Sequence, residues 1–158
     1  SVFPEVITEL PSLEELYLND IIVKIPDSIT KLSLLRTFKM EKCQLKKFPW
    51  HLCVLSNLKV LSLYDNKIEE IPYDISNLTE LEELSFGYNK LQDFPPEFFL
   101  LAKLKNLEIE HNLLKSLSRR LGALVELTFL SIIDNHIDLI PDEIWALPKL
   151  KEIFYAHY

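Results

Sequence analysis

The chain has 158 residues, 48% of them hydrophobic, and only two glycines, which fits one folded domain and excludes a disordered or collagen-like chain. Its formal net charge of −7 argues against binding to nucleic acid or to an anionic membrane surface, because both attract cationic proteins. No apolar run approaches the roughly 18 residues of a membrane span, and the two cysteines lack the spacing of a redox pair or a metal site.

The elements predicted along the chain recur with one period. A partial unit over residues 1–12 comes first, and complete units follow over 13–34, 35–57, 58–80, 81–103, 104–126 and 127–149. A second partial unit covers 150–158. From the second complete unit onward the opening leucines are spaced by 23 residues, at Leu35, Leu58, Leu81, Leu104, Leu127 and Leu150. A period of this size is typical of a solenoid, and we expect a single domain. Because the sequence starts and stops within a unit, we expect a fragment of a longer protein, or else a stack with unusually plain ends.

Each unit is predicted to contain a strand, a turn and a return arm. With the opening leucine counted as position 1, apolar residues at positions 4 and 6 have the period of a strand with one buried face. Apolar residues at positions 14, 18 and 21 suit a helical or 3₁₀ turn and a half, and proline at position 15 fits its first turn. Because no unit buries its own apolar edge, neighbours must stack. The fold class is therefore α/β: a curved solenoid with a concave parallel sheet and short helical or 3₁₀ segments on its convex side.

Position 9 is asparagine in four successive units: Asn66, Asn89, Asn112 and Asn135. Its side chain faces a turn whose backbone groups are buried between coils, and an amide both donates and accepts hydrogen bonds there. An unsatisfied buried group costs about 1–3 kcal/mol, so we assign these residues a structural role and call them the asparagine ladder. Ile21 and Cys43 occupy this position in the first two complete units, so we expect the ladder to begin at Asn66.

The repeated phrase, clearest from Leu58 to Leu78, reads Leu-x-x-Leu-x-Leu-x-x-Asn-x-Leu-x-x-Ile-Pro-x-x-Ile-x-x-Leu. It resembles leucine-rich repeat proteins of the 23-residue type over nearly the whole chain. Its Ile-Pro-x-x-Ile form is similar to the intracellular Ras-associated and scribble-like scaffolds, and to bacterial repeat proteins that include effectors delivered into host cells. This resemblance implies a non-catalytic interaction module in the cytoplasm, or in the host cytoplasm for an effector.

The candidate binding surface is the set of positions that point away from the core: 3, 5 and 7 of each strand, with position 8 at the edge. We call this set the concave face. Tyr64, Tyr88 and His111 form a diagonal across three consecutive strands, the tyrosine diagonal, and such side chains concentrate interface energy. Phe129, Ile133 and Phe154 form an apolar patch that either a partner or further units of the same chain could cover. The candidate partner-binding residues are Tyr17, Lys39, Tyr64, Tyr88, Glu108, Glu110, His111, Phe129, Ile133 and Phe154.

The sequence predicts no catalytic residue, no cofactor and no metal site. His111 and His157 share position 8 but lie two strands apart, about 9–10 Å, which is too far to chelate one metal readily. The leading hypothesis is a monomeric module that binds another protein on its concave face, without nucleic acid or membrane insertion. Charges of both signs on that face argue against a simple electrostatic clamp.

Two alternatives stay open. One is a substrate-targeting segment of a larger enzyme or secreted bacterial effector, of the ubiquitin ligase, kinase or GTPase type. The other is a structural surface or adhesion protein.

Overall fold

The computed structural model describes residues 2–156, and its strands form one parallel sheet whose order follows the chain. The strands are β1 Glu15–Tyr17, β2 Thr37–Lys39, β3 Val60–Ser62, β4 Glu83–Ser85, β5 Asn106–Glu108, β6 Phe129–Ser131 and β7 Glu152–Phe154. Neighbouring strands pair at identical repeat positions, so that Leu61 lies beside Leu84, and Leu84 beside Leu107. The predicted α/β solenoid is confirmed.

The return arms on the other side of the solenoid carry short helical segments. Most are 3₁₀ turns, at Glu5–Glu9, Asp27–Lys31, Trp50–Val54, Tyr73–Asn77, Pro96–Leu100 and Arg119–Ala123, and the last is a four-residue α-helix, α1, at Asp142–Trp145. The proline at position 15 stands one residue before each segment rather than inside its first turn. Where Ser118 replaces it, the hydroxyl accepts a hydrogen bond from the Arg120 N–H at 3.1 Å, so the segment still has an N-cap.

The core lies between the sheet and the return arms and extends from Phe3 to Leu147. The opening leucines from Leu35 to Leu127 are fully buried, whereas Leu13 and Leu150 at the two ends are half-buried. The column of opening leucines is therefore fully buried wherever a coil has a neighbour on each side.

The asparagine ladder joins successive turns. Asn112 accepts a hydrogen bond from the Leu91 N–H at 2.9 Å and donates to the Phe86 and Ile109 carbonyls at 3.0 and 3.1 Å. Asn135 makes the equivalent bonds one coil further on. At the N-terminal end the Cys43 thiol donates to the Leu18 carbonyl oxygen at 2.9 Å, which partly replaces an amide. Cys43 and Cys53 are both free and buried.

Position 8 adopts a left-handed backbone conformation in every complete coil, a feature that the sequence pattern does not indicate. Its residues have φ between 52° and 59°: Asp20, Lys42, Asp65, Tyr88, His111 and Asp134. Glycine normally fills such sites, and bulky side chains are uncommon there. Each strand ends three residues before this position, and the left-handed turn directs the chain towards the return arm.

Candidate protein-interaction surface

The concave face is formed by the residues that flank the middle residue of each strand, although Ser62 and Ser131 in this set are buried. In β1 the middle residue is buried and its two neighbours are exposed, and Tyr17 presents an exposed ring. The ammonium nitrogen of Lys39 lies 5.9 Å from the centre of that ring, within the range of a cation–π contact. These two predicted residues therefore lie together at the N-terminal end of the face.

The tyrosine diagonal is a continuous aromatic stack. The Tyr64 and Tyr88 ring centres are 5.2 Å apart at an interplanar angle of 63°, and the Tyr88 and His111 rings stack at 4.0 Å and 22°. His111 Nε2 lies 3.0 Å from a carboxylate oxygen of Asp134 on the next coil. Tyr88 remains 42% exposed, so the stack holds a large aromatic surface towards solvent in one arrangement.

The backbone beneath this stack is held by the sheet and by the left-handed turns. The Tyr88 N–H donates to the Glu110 carbonyl at 2.9 Å, and the His111 N–H donates to the Ile133 carbonyl at 2.8 Å. Both residues have φ of 54°. Because their backbone is fixed from one coil to the next, the rings would lose little conformational freedom on contact with another molecule.

Gly87 leaves a recess in the concave face that the sequence pattern did not reveal. A Cβ atom at this position would lie 2.8 Å from a carboxylate oxygen of Glu110 and 3.0 Å from the Tyr64 ring. The missing side chain thus allows Glu110 and Tyr64 to close over the strand end, and we call this place the Gly87 recess. A glycine beside a strand is the available sequence signal, because it often marks a close approach of other groups.

The Glu110 carboxyl in this recess is electrostatically unfavourable. Burial raises its pKa, with a smaller contribution from the neighbouring Glu108 carboxylate, while hydrogen bonds from its own backbone N–H and from Ser131, and the nearby His111 ring, act in the opposite direction. Its Oε2 atom is buried and has no hydrogen-bond partner among residues 2–156. Burial also raises the pKa of the Tyr64 hydroxyl. An unsatisfied acidic oxygen is costly, so this site favours any cation that approaches it.

Glu108 is held differently. It accepts a hydrogen bond from the Ser85 hydroxyl at 2.9 Å, as Glu41 does from the Ser62 hydroxyl nearer the N-terminal end. These bonds orient carboxylates on the concave face.

The apolar patch at the C-terminal end is only partly assembled. The Phe129 and Phe154 rings lie 5.5 Å apart at 51°, and Phe154 is 46% exposed. Ile133 is half-buried at position 7 of the same coil as Phe129.

The charge on the concave face is one-sided, which corrects the interpretation of a mixed surface. Positions 3, 5, 7 and 8 carry nine carboxylates and two lysines, and the remaining positions of the chain carry fifteen acidic and fifteen basic residues. The whole net charge of −7 therefore lies on this face and its edge. The Lys39 and Lys42 side chains are confined to one coil near its N-terminal end.

Residues 2–156, the part of the chain that the structure describes, were searched for metal sites and for membrane-spanning helices. In that range no group of three or more His, Cys, Asp or Glu side chains is arranged to hold a metal ion. His157, which shares position 8 with His111, lies outside the described residues. No helix in the described part of the chain has the length and apolar character needed to cross a membrane.

Stacked one-strand coils, a ladder of asparagines and an outward-facing parallel sheet define the class of repeat solenoids that present a sheet surface. A family profile described as a leucine-rich repeat region matches residues 2–153. The chain therefore belongs to the leucine-rich repeat family, whose domains are commonly non-catalytic and protein-binding.

Solved structures of bacterial and plant proteins have the same fold. A leucine-rich repeat protein of Leptospira interrogans is 28% identical, with a TM-score of 0.79, over 99% of this chain and 46% of its own. Internalin C2 of Listeria monocytogenes is 27% identical, with a TM-score of 0.87, over 99% of this chain and 66% of its own. The plant peptide hormone receptor RGFR1, solved in complex with RGF2, is 25% identical, with a TM-score of 0.76, over 96% of this chain and 26% of its own.

The chain thus spans 26% to 66% of the length of these proteins. A search of curated protein sequences found no match.

Proposed function

We propose that this chain is a non-catalytic interaction module that binds a partner protein on its concave face, with the tyrosine diagonal at the centre of the contact. The observation that carries the proposal is the set of ring contacts between Tyr64, Tyr88 and His111, which is exposed at Tyr88, half-buried at the other two rings and supported by the sheet. Rigid aromatic side chains contribute much of the energy of protein interfaces because they bury a large area at low entropic cost.

The family supports the same function. Leucine-rich repeat domains commonly bind proteins, and the structure of the receptor RGFR1 was solved in complex with RGF2. The wide sheet surface suits a macromolecular partner, because the outward side chains of successive strands are spaced by about 4.8 Å and together cover an extended area.

The test compares three forms of the chain as bait: the unaltered protein, a concave variant Tyr64→Ala/Tyr88→Ala, and a convex control Tyr73→Ala/Leu100→Ala. The control removes two exposed apolar side chains from the return arms. Captured proteins are identified by mass spectrometry, and the binding constant of each is then measured with purified components.

We expect the concave variant to bind the specific partner at least about tenfold more weakly, because an aromatic anchor contributes about 2 kcal/mol or more. The convex control should bind as the unaltered protein does. Circular dichroism must show that all three forms are folded. If every specific partner binds the concave variant and the unaltered protein equally well, the proposal is wrong.

A further inference from the structure

The acidic character of the concave face is concentrated away from its two lysines. From Val60 to Ala156, the outward positions carry six carboxylates and no lysine or arginine: Asp65, Glu83, Glu108, Glu110, Asp134 and Glu152. The tyrosine diagonal belongs to three of these coils, those of β3, β4 and β5. A partner that covers this region removes water from the carboxylates, and this desolvation costs free energy unless positive charges neutralise them. Only a basic partner supplies those charges.

The Gly87 recess adds a specific reason for a cation at the centre of this region. Within the described range 2–156, Glu110 is half-buried and has an oxygen without a hydrogen-bond partner, and Glu108 lies close enough to raise the cost of its charge. A positive charge above the recess would reduce that cost through space, without having to reach the buried oxygen.

The tyrosine rings beside the recess suit the same ligand group. The protein already places one of its own cations against a tyrosine of this face, where the Lys39 ammonium lies 5.9 Å from the Tyr17 ring centre. Tyr64 and Tyr88 have no such lysine among the outward positions of their own and following strands. A cation contributed by another molecule can occupy the equivalent place.

We infer that the concave face recognises a basic, extended segment of its partner, and that one Lys or Arg side chain of this segment lies over the tyrosine diagonal beside Glu108 and Glu110. The inference rests on the proposed function, since it names the chemistry of the partner at the same surface. A polybasic segment fits better than a single metal ion, because the carboxylates are distributed over five strands and no metal-binding group is found among residues 2–156.

Fluorescence anisotropy with synthetic peptides tests this inference directly, and it does not require the partner to be identified. The probe is a labelled peptide with three arginines alternating with serines, and two further peptides replace the arginines with glutamines or with glutamates. Each is titrated with the full chain at about 50 mM and about 500 mM salt, where screening differs strongly. The protein variants are Glu108→Gln/Glu110→Gln and a control of the same net charge, Glu69→Gln/Glu70→Gln, in the turn leading to a return arm.

The arginine peptide should bind at least about tenfold more tightly than the glutamine peptide, and high salt should remove most of this difference. The Glu108→Gln/Glu110→Gln variant should bind it about fivefold to tenfold more weakly, and the control within about twofold of the unaltered protein. Equal binding of the arginine and glutamine peptides would overturn the inference. So would equal weakening in the two variants, because it would show attraction to overall charge alone.

Failure here is distinguishable from failure of the proposed function. If partner capture depends on Tyr64 and Tyr88 but the peptides show no charge preference, the interaction module stands and the basic partner is wrong. If capture does not depend on the tyrosines, the proposed site itself is wrong.

Discussion

Replacing Asn66 with leucine should destabilise the protein considerably more than replacing Asn89, although both residues occupy position 9 and both are 7% exposed. Leucine is similar in size and shape to asparagine, so the comparison measures lost hydrogen bonds rather than a cavity. The expected difference comes from the number of backbone groups that each side chain alone satisfies.

Asn66 serves three such groups. Its Oδ1 atom accepts hydrogen bonds from the Cys43 and Leu45 N–H groups, both at 3.0 Å, and its Nδ2 atom donates to the Met40 carbonyl at 2.9 Å. The preceding coil has Cys43 in place of an asparagine, and no other donor to the Met40 oxygen is found among residues 2–156. At about 1–3 kcal/mol for each orphaned group, the loss should be at least about 3 kcal/mol.

Among residues 2–156, one backbone group depends on Asn89 alone: the Ile68 N–H, which donates a hydrogen bond to Oδ1 at 3.0 Å. Its Nδ2 atom also donates to the Leu63 and Phe86 carbonyls, but each of these keeps a second bond from a neighbouring asparagine of the ladder. The expected loss is therefore about 1–3 kcal/mol, and the two variants should differ by about 2 kcal/mol.

Urea unfolding at 25 °C, followed by circular dichroism, measures the difference, and Asn77→Leu at an exposed site is the control, expected within about 0.5 kcal/mol of the unaltered protein. The slopes of the unfolding curves must agree before free energies are compared. Equal losses for Asn66→Leu and Asn89→Leu would refute the idea that shared carbonyls protect the interior of the ladder.

Three further predictions concern single sites. Burial raises the pKa of Glu110 above its ordinary 4.5, so the ionised carboxyl opposes folding at neutral pH. The substitution Glu110→Gln should therefore raise the urea midpoint of unfolding at pH 7. This gain in stability should shrink as the pH falls through the pKa of the folded protein, and it should be absent below pH 4.5. Gly87→Ala should change the free energy of unfolding by less than about 1 kcal/mol, because the new Cβ meets the movable ends of side chains. Gly122→Ala should cost about 1–3 kcal/mol in the same assay, because its Cβ would lie 2.8 Å from the Glu143 Cβ and 3.1 Å from the Glu143 carbonyl oxygen. A thiol reagent at pH 8 should label the folded protein slowly and the unfolded protein quickly, since burial raises the pKa of Cys53 to about 12; fast labelling before unfolding would contradict the buried position.

Much of the fold was predictable because one pattern recurs. The apolar residues at positions 4 and 6 defined the strands, and the pairing of Leu61 with Leu84, and of Leu84 with Leu107, follows from their spacing. The return arms were predictable as short helical or 3₁₀ segments, but the group that starts each one was not. Ser118 stands where the other arms have proline, and its side chain caps the segment by accepting a hydrogen bond.

Less of the candidate surface was predictable. The alternation of a strand places Tyr64 on the outward face, but the 4.0 Å stack of Tyr88 on His111 depends on left-handed turns at two bulky residues, which local preference would not suggest. The buried charge of Glu110 likewise depends on the absence of a side chain at Gly87, one coil away.

The sequence by itself determined the coil, its register and the division between buried and outward positions, because a constant period brings each residue beside its equivalent in the next coil. Only the tertiary structure decided how the outward side chains combine. The reason is physical: hydrophobic burial depends on which positions are apolar, whereas the aromatic stack and the Gly87 recess depend on distances between side chains of different coils. Those distances are set by backbone conformation and packing together.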